Sequence, residues 1–221
     1  MRRLLMLLVC LSGLWSTSYG TPVSKVGLVG GLQWANMRGA DAEGTTGLLG
    51  GKAGVRVQWN FSAHWALQTG GMYQMQGAQK DTMLTLSLGP TSTGRLEWTK
   101  RTRLQYLAFP IILHGEIYAP WHVFVGPSFG IFLNGTGELE QRVSIGDSTK
   151  HTTQSRTIPR DEVAPVDITV VTGLMYHKAP WQVELGYALG MTDIPRVGEE
   201  RDMQHSTFFF QMGYFFAINR R

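Results

Sequence analysis

Eight segments of this 221-residue chain place apolar or small residues at every second position, and the gaps between them alternate long and short. In residues 51–59, Ala53, Val55, Val57 and Trp59 take the odd positions, while Lys52, Gly54, Arg56 and Gln58 take the even ones. A helix would scatter those cations around its circumference; a strand puts them on one face. Trp65, Leu67, Thr69, Gly71, Tyr73 and Met75 repeat the pattern, and so do Trp181, Val183, Leu185, Tyr187, Leu189 and Met191. The segments cover residues 25–34, 48–59, 63–77, 101–117, 120–134, 163–177, 180–191 and 205–218. Each can supply the ~9–11 residues with which a tilted strand crosses a bilayer. The gaps after the second, fourth and sixth are tight (Asn60-Phe61-Ser62, Tyr118-Ala119 and Lys178-Ala179), and the other four are long. Tight turns at one rim and long loops at the other are the rhythm of an outer-membrane barrel. The expected fold is all-β: an eight-stranded antiparallel up-and-down transmembrane β-barrel. Termini and tight turns are expected in the periplasm, and long loops outside the cell.

The amino end agrees with export. Arg2 and Arg3, the apolar run Leu4 to Leu14 and the small-x-small Ser18-Tyr19-Gly20 read as a cleavable signal over residues 1–20, leaving one barrel domain over 21–221. The apolar run is shorter than the ~20 residues of a spanning helix. Val9 stands before Cys10, where a lipidated signal wants a small residue, so lipidation is not expected. Cys10 is the chain's one cysteine, so the mature chain has no disulfide, thiolate metal site or cysteine nucleophile. Charged residues make up 16% of the chain, against roughly a quarter in soluble domains. The formal charge of +4 falls to +2 without the two signal arginines, and the basic residues are scattered along the sequence. Nucleic-acid binding would want a clustered basic face, so no nucleic-acid partner is expected.

Two long gaps carry structure of their own. Thr82 to Leu88 alternates, Gly89-Pro90 breaks the run, and Arg95 to Gln105 resumes it, which predicts strands that leave the membrane and turn back near residues 89–94. The polar stretch from Gly135 to Arg160 is read either as a similar excursion turning at Gly146-Asp147 or as a mobile loop. Aromatic placement is an independent check, since Trp and Tyr favour the bilayer interface. Trp59, Trp65, Trp121 and Trp181 stand beside the three tight turns with Tyr118 and Tyr176 nearby, predicting a periplasmic aromatic girdle. The terminal segment from His205 to Phe216 is aromatic-rich, although Ala217-Ile218-Asn219-Arg220-Arg221 follows where a terminal aromatic is usual in such barrels.

Several motifs resemble the PorT-like outer-membrane barrel family: Val26-Gly27-Leu28-Val29-Gly30-Gly31, Lys52-Ala53-Gly54, Tyr106-Leu107-Ala108-Phe109-Pro110-Ile111-Ile112-Leu113 and Val125-Gly126-Pro127-Ser128-Phe129-Gly130. The resemblance covers the whole mature chain. It implies an eight-stranded barrel of a Bacteroidetes-type outer membrane. The family's namesake takes part in protein secretion and gliding, while most relatives are barrels without an assigned role.

A barrel of eight strands has an interior filled by side chains. The inward face is expected to carry Lys52, Arg56, Gln58, His64, Gln68, Gln74, Asp167, Gln182 and Glu184. Buried charges must be paired, so Arg56 or Lys52 is expected to meet Glu184 or Asp167 in a lumenal polar network that includes Gln68. The expected function is that of a non-enzymatic outer-membrane barrel with a filled lumen, giving structural or surface-interaction service or forming the membrane part of a transport or secretion assembly. Its expected partners are membrane lipid and other envelope or secretion proteins. A narrow solute pore is the alternative. A lipid-modifying enzyme would need a histidine, a hydroxyl and a carboxylate converging near the outer rim; His205, Ser206 and Asp202 are the one such group, read as an ordinary polar loop. No cofactor is expected. No metal is expected either, since no His-x-His spacing recurs and Asp193, Glu199, Glu200 and Asp202 read as a solvated loop.

Overall fold

A computed structural model describes residues 24–87, 93–145, 148–194 and 203–218. The signal segment and Asp202 lie outside the described residues. Among the described residues nine strands follow in chain order: β1 (Ser24–Arg38), β2 (Thr45–Asn60), β3 (Trp65–Ser87), β4 (Thr93–Tyr118), β5 (Trp121–Ile145), β6 (Ser148–Thr157), β7 (Val166–Lys178), β8 (Trp181–Gly190) and β9 (Gln204–Ile218). All but β6 form a closed antiparallel ring in the order β1-β2-β3-β4-β5-β7-β8-β9, which shuts where β9 pairs with β1 from Ser24↔Ile218 to Arg38↔Gln204. Closure leaves no sheet edge within the ring, the condition for putting a sheet into hydrocarbon.

The period-two pattern becomes two faces. In β8, Gln182 and Glu184 are buried in the lumen while Trp181, Leu185 and Tyr187 face outward and are exposed. In β9, Phe209, Gln211 and Phe215 point in, and Phe208, Phe210, Met212 and Phe216 point out. Leu28, Leu32, Val55, Ile111, Val123, Val125, Ile131 and Val170 extend this apolar outer surface around the ring. Soluble monomers rarely expose an apolar belt of this extent; it is a surface suited to lipid. Inside, Gly186 sits where an added Cβ would lie 2.5 Å from the Phe209 ring and 2.9 Å from Phe124. The missing side chain makes room for those two rings to fill the lumen.

The short turns close one end. Ala119-Pro120 joins β4 to β5 and Ala179-Pro180 joins β7 to β8, both through cis peptide bonds. The Pro120 carbonyl accepts a bond from the His177 amide (2.9 Å) and the Pro180 carbonyl one from the Phe215 amide (2.8 Å), tying each turn to the next strand. Between β2 and β3, the Ser62 hydroxyl accepts from the His64 and Trp65 amides at 3.3 and 3.0 Å. At the opposite end the β1–β2 connection is tighter than the sequence suggested. β1 continues to Arg38, and the chain reverses through a 3-10 turn at Ala40–Ala42 and Gly44, whose φ of +77° suits glycine.

Both expected excursions are strands. β4 has 26 residues and β5 has 25, more than twice the ~9–11 needed to span. Their outer parts pair with each other from Leu104↔Gly135 to Gly94↔Ile145. β3 flanks this ribbon on one side up to Ser87↔Thr93. β6 flanks it on the other from Thr136↔Thr157 to Ile145↔Ser148. The polar stretch after Gly135 is thus a ninth strand beyond the eight of the ring, and Gly146-Asp147 lies outside the described residues. A register shift opposite Gln105 and Tyr106 leaves Leu133 between Phe132 and Asn134 as an extra residue on β5. It reverses which parity faces inward, so Phe132 below it and Gly135 above it both meet the interior.

The two faces predict opposite tolerances. Phe210→Arg, on the apolar belt, should destabilise the barrel by about 2–4 kcal/mol in urea titrations from lipid vesicles. Thr153→Arg on β6, exposed on the ribbon, should change stability by no more than about 0.5 kcal/mol.

Candidate functional site: the lumen and its two mouths

Six lumenal side chains from four strands form one polar network near the short-turn end. Arg56 on β2 donates from Nη1 to Glu184 Oε1 on β8 at 2.6 Å, with both side chains buried. The same nitrogen donates to Gln68 Oε1 at 3.3 Å. Gln68 Nε2 donates to Gln58 Oε1 and to Gln182 Oε1, each at 2.9 Å. Gln182 Nε2 donates back to Glu184 Oε1 at 2.5 Å, and Gln211 Nε2 on β9 donates to Glu184 Oε2. The ion pair therefore crosses the lumen between strands that are not neighbours. The ring places β2 and β8 on either side of β1 and β9, and only long side chains can bridge that gap. Four amides fill in around the pair, because a buried charge needs hydrogen bonds as well as a counter-charge.

The expected site residues separate into two groups. Arg56, Gln68 and Glu184 meet in the network. Lys52 does not; its Nζ sits 3.8 Å from the centroid of the Phe209 ring, a cation–π contact one level nearer the long-loop end. Asp167 on β7 is also buried higher up, and neither carboxylate oxygen has a hydrogen bond among the described residues. The expected membership of both in one network with Glu184 fails on height, since both stand nearer the long loops than Glu184. His64 is not lumenal, because it lies in the turn before β3 with its side chain 68% exposed. Gln211 is the member that sequence reasoning missed. Its signal was present, a lone amide between the outward Phe210 and Met212, masked by the aromatic run around it.

Next to the network the lumen is nearly solid. Ile112, Phe124, Val171, Met175 and Phe209 pack as one apolar cluster, and Val29, Met72, Ala108 and Phe215 as another. The space between Arg56 and the polar layer of Gln33, Gln74 and Thr207 is a cavity of about 20 Å³, room for about one water.

A vestibule opens at each end. The one at the short turns, about 270 Å³, is lined by Lys25, His114, His122 and His177. His122 stacks edge-on against His114 and His177, with ring centroids 5.5 and 5.8 Å apart, and Lys25 Nζ lies 3.4 Å from His177 Nε2. Among the described residues no group of three His, Cys, Asp or Glu side chains is placed to hold a metal ion. Around this end Trp59, Trp65, Tyr118, Trp121 and Trp181 are exposed and Tyr176 is half-buried. Trp121 meets Tyr176 edge-on at 5.2 Å. These are the six aromatics expected at the tight turns, all at the same rim.

The other vestibule, about 200 Å³, lies where the ribbon leaves the ring. Leu104, Phe132, Ile158, Val163 and Ile194 form an apolar cluster at its base. Below that base, Tyr106 stacks edge-on against His205, with the hydroxyl 3.3 Å from Nε2. His205 is therefore a buried lumenal residue of β9 and not part of a loop. Ser206, its neighbour, turns to the other face and shares a 2.5 Å hydrogen bond with Tyr187. The alternation of one strand separates the hydroxyl from the imidazole that an acyl-transfer site would join.

The geometry agrees with what known proteins show. A family model described as "outer membrane protein beta-barrel domain" matches residues 25–196, and the chain belongs to that family. Similar solved structures include Neisserial surface protein A (11% identity, 86% of this chain and 97% of that one, TM-score 0.42). Another is Ail, the attachment invasion locus protein of Yersinia pestis (13% identity, 87% of this chain and 99% of that one, TM-score 0.36). A designed transmembrane β-barrel is similar at 9% identity, with 90% of this chain and all of that one covered, at a TM-score of 0.36. No curated protein shows significant sequence similarity to the chain.

The ion pair predicts a non-additive mutant cycle. Glu184→Met alone should cost about 3–5 kcal/mol by stranding the Arg56 charge, while Arg56→Met with Glu184→Met should recover most of that loss. Urea-driven unfolding from vesicles measures these two variants and the Arg56→Met single that completes the cycle.

Proposed function

We propose that this member of the outer-membrane β-barrel family is a non-enzymatic, non-conducting barrel whose working surface is the ribbon and mouth at the long-loop end. One observation carries the reading: the Arg56–Glu184 pair and its four glutamines bridge the lumen, with room for about one water beside them. An ion or solute would have to break a buried pair to pass. In this reading Lys52 and Asp167 are fixed filling of the same lumen rather than steps in an ion pathway.

The barrel sits with its termini and tight turns in the periplasm and its ribbon outside the cell. The rim of Trp59, Trp65, Tyr118, Trp121, Tyr176 and Trp181 supports this placement as an interfacial girdle, and so does the position of Ser24 and Ile218 at the same end. Membrane lipid is the partner of the apolar belt. The ribbon, four strands wide and polar throughout β6, is suited to contacts with other envelope proteins.

The PorT-like motifs favour a second reading for the same surface, as the membrane part of a secretion assembly. The Tyr106 to Leu113 stretch carries that resemblance, and its Tyr106, Ala108, Pro110 and Ile112 line the lumen wall. Under this reading the barrel should migrate from mild-detergent extracts of its own membrane in a complex of fixed size; migration solely at the size of one chain would exclude it.

Planar-bilayer recording tests the main proposal. The purified barrel should give no steady conductance, and Arg56→Ala with Glu184→Ala should admit ions. Steady current through the unaltered protein would replace the sealed barrel with a narrow pore.

A further inference from the structure

The long-loop vestibule combines two features that a merely structural mouth does not need. Its floor is apolar, made by Leu104, Ile158, Val163, Ile194 and Met203, with Met37 beside them. Its wall carries Lys80 on β3 and Lys100 on β4, which are direct cross-strand partners. Strand alternation puts both on the lumenal face, in line with the buried Ala78 and Leu104. Like charges directly opposite each other destabilise a sheet.

Among the described residues nothing nearby offsets that repulsion. The described carboxylates of the ribbon lie on its other face. Asp81 accepts bonds from Gln79 and Thr99, which hold its carboxyl below the ordinary range. Glu140 faces Arg101 at 3.9 Å, and Glu97 pairs with Arg95 at 2.6 Å. The one carboxylate lining the vestibule among the described residues, Glu162, is taken by Arg156 at 2.9 Å. Among the described residues neither lysine has an ion pair or a hydrogen bond. Arg156 folds over Gly137, with Nε 3.9 Å from where a Cβ would stand, and spends its charge on Glu162, so the two lysines carry the vestibule's uncompensated positive charge among the described residues.

We propose that this vestibule binds a free single-chain amphiphile with an anionic head, an alkyl carboxylate or sulfate. The head lies between Lys80 and Lys100, and the chain lies on the Leu104–Ile194 floor. A small inorganic anion would leave the floor uncovered, and a neutral hydrocarbon would leave the two ammonium groups repelling each other. The proposal goes beyond the sealed-barrel reading and stands whether or not the lumen conducts, because the ligand enters from the long-loop side.

Isothermal titration of the refolded barrel in phosphatidylcholine nanodiscs, with empty nanodiscs as the blank, tests it using octanoate, octanol and acetate. Octanoate should bind saturably at one per barrel, with octanol and acetate each about tenfold weaker or more, the loss expected for one charge-assisted bond or its apolar counterpart. Lys80→Gln with Lys100→Gln should weaken octanoate about tenfold and leave octanol unchanged. Ile194→Asn should weaken both. Heat-modifiable mobility on a denaturing gel checks that each variant still forms the barrel. Octanoate heats equal to the blank, or untouched by the lysine substitutions in a folded barrel, would overturn the proposal. Displacement of octanoate by phosphatidylglycerol added to the nanodiscs would overturn the assignment to a free ligand.

Discussion

Every other feature of this molecule depends on the pairing of its first and last strands. β1 and β9 come from opposite ends of the described chain, yet they match residue for residue from Ser24↔Ile218 to Arg38↔Gln204. A backbone amide or carbonyl left unpaired in hydrocarbon costs several kcal/mol, so a sheet enters a bilayer only as a closed ring. Closure then dictates the rest. Alternate side chains must go to lipid or into a narrow bore, and eight strands leave a bore that side chains can fill.

How the bore is filled follows from the same geometry. Charges on strands that do not touch can meet only across it, and the long Arg56 and Glu184 side chains do so, with Gln68, Gln182 and Gln211 hydrogen-bonded to the pair and Gln58 to Gln68. Aromatic rings take the remaining space where glycines such as Gly186 give way. The two rims differ because the chain outside the membrane differs. Short turns leave one rim as a girdle of aromatics over a histidine-lined vestibule. At the other rim, β3 to β6 carry the sheet onward as a ribbon, and the extra residue Leu133 turns its faces where it begins.

The ring was legible in the residues because period-two alternation is a local property. Val55, Val57 and Trp59 against Arg56 and Gln58 assign a face without knowledge of any neighbour. Heights along the bore were not legible, because they depend on strand stagger. Lys52 and Asp167 therefore read as members of the Arg56–Glu184 network, although stagger lifts both out of it. His64 read as lumenal because the alternation of β3 was extended past Trp65 into a turn. His205 and Ser206 read as one loop, and β9 splits them between faces. Lys80, Lys100 and Arg156 looked scattered along the sequence. They share one vestibule because β4 folds back on β3 and β6 returns along β5.

Single cysteines in a chain beginning at Thr21, which otherwise has none, test the two-faced ring most directly. A fluorophore attached at residues 183, 185, 208 or 210 of the barrel in vesicles should be quenched by brominated lipid. One attached at 182, 188, 207 or 211 should react slowly and escape quenching. Quenching that ignores this alternation, or that repeats every three to four residues, would contradict the account.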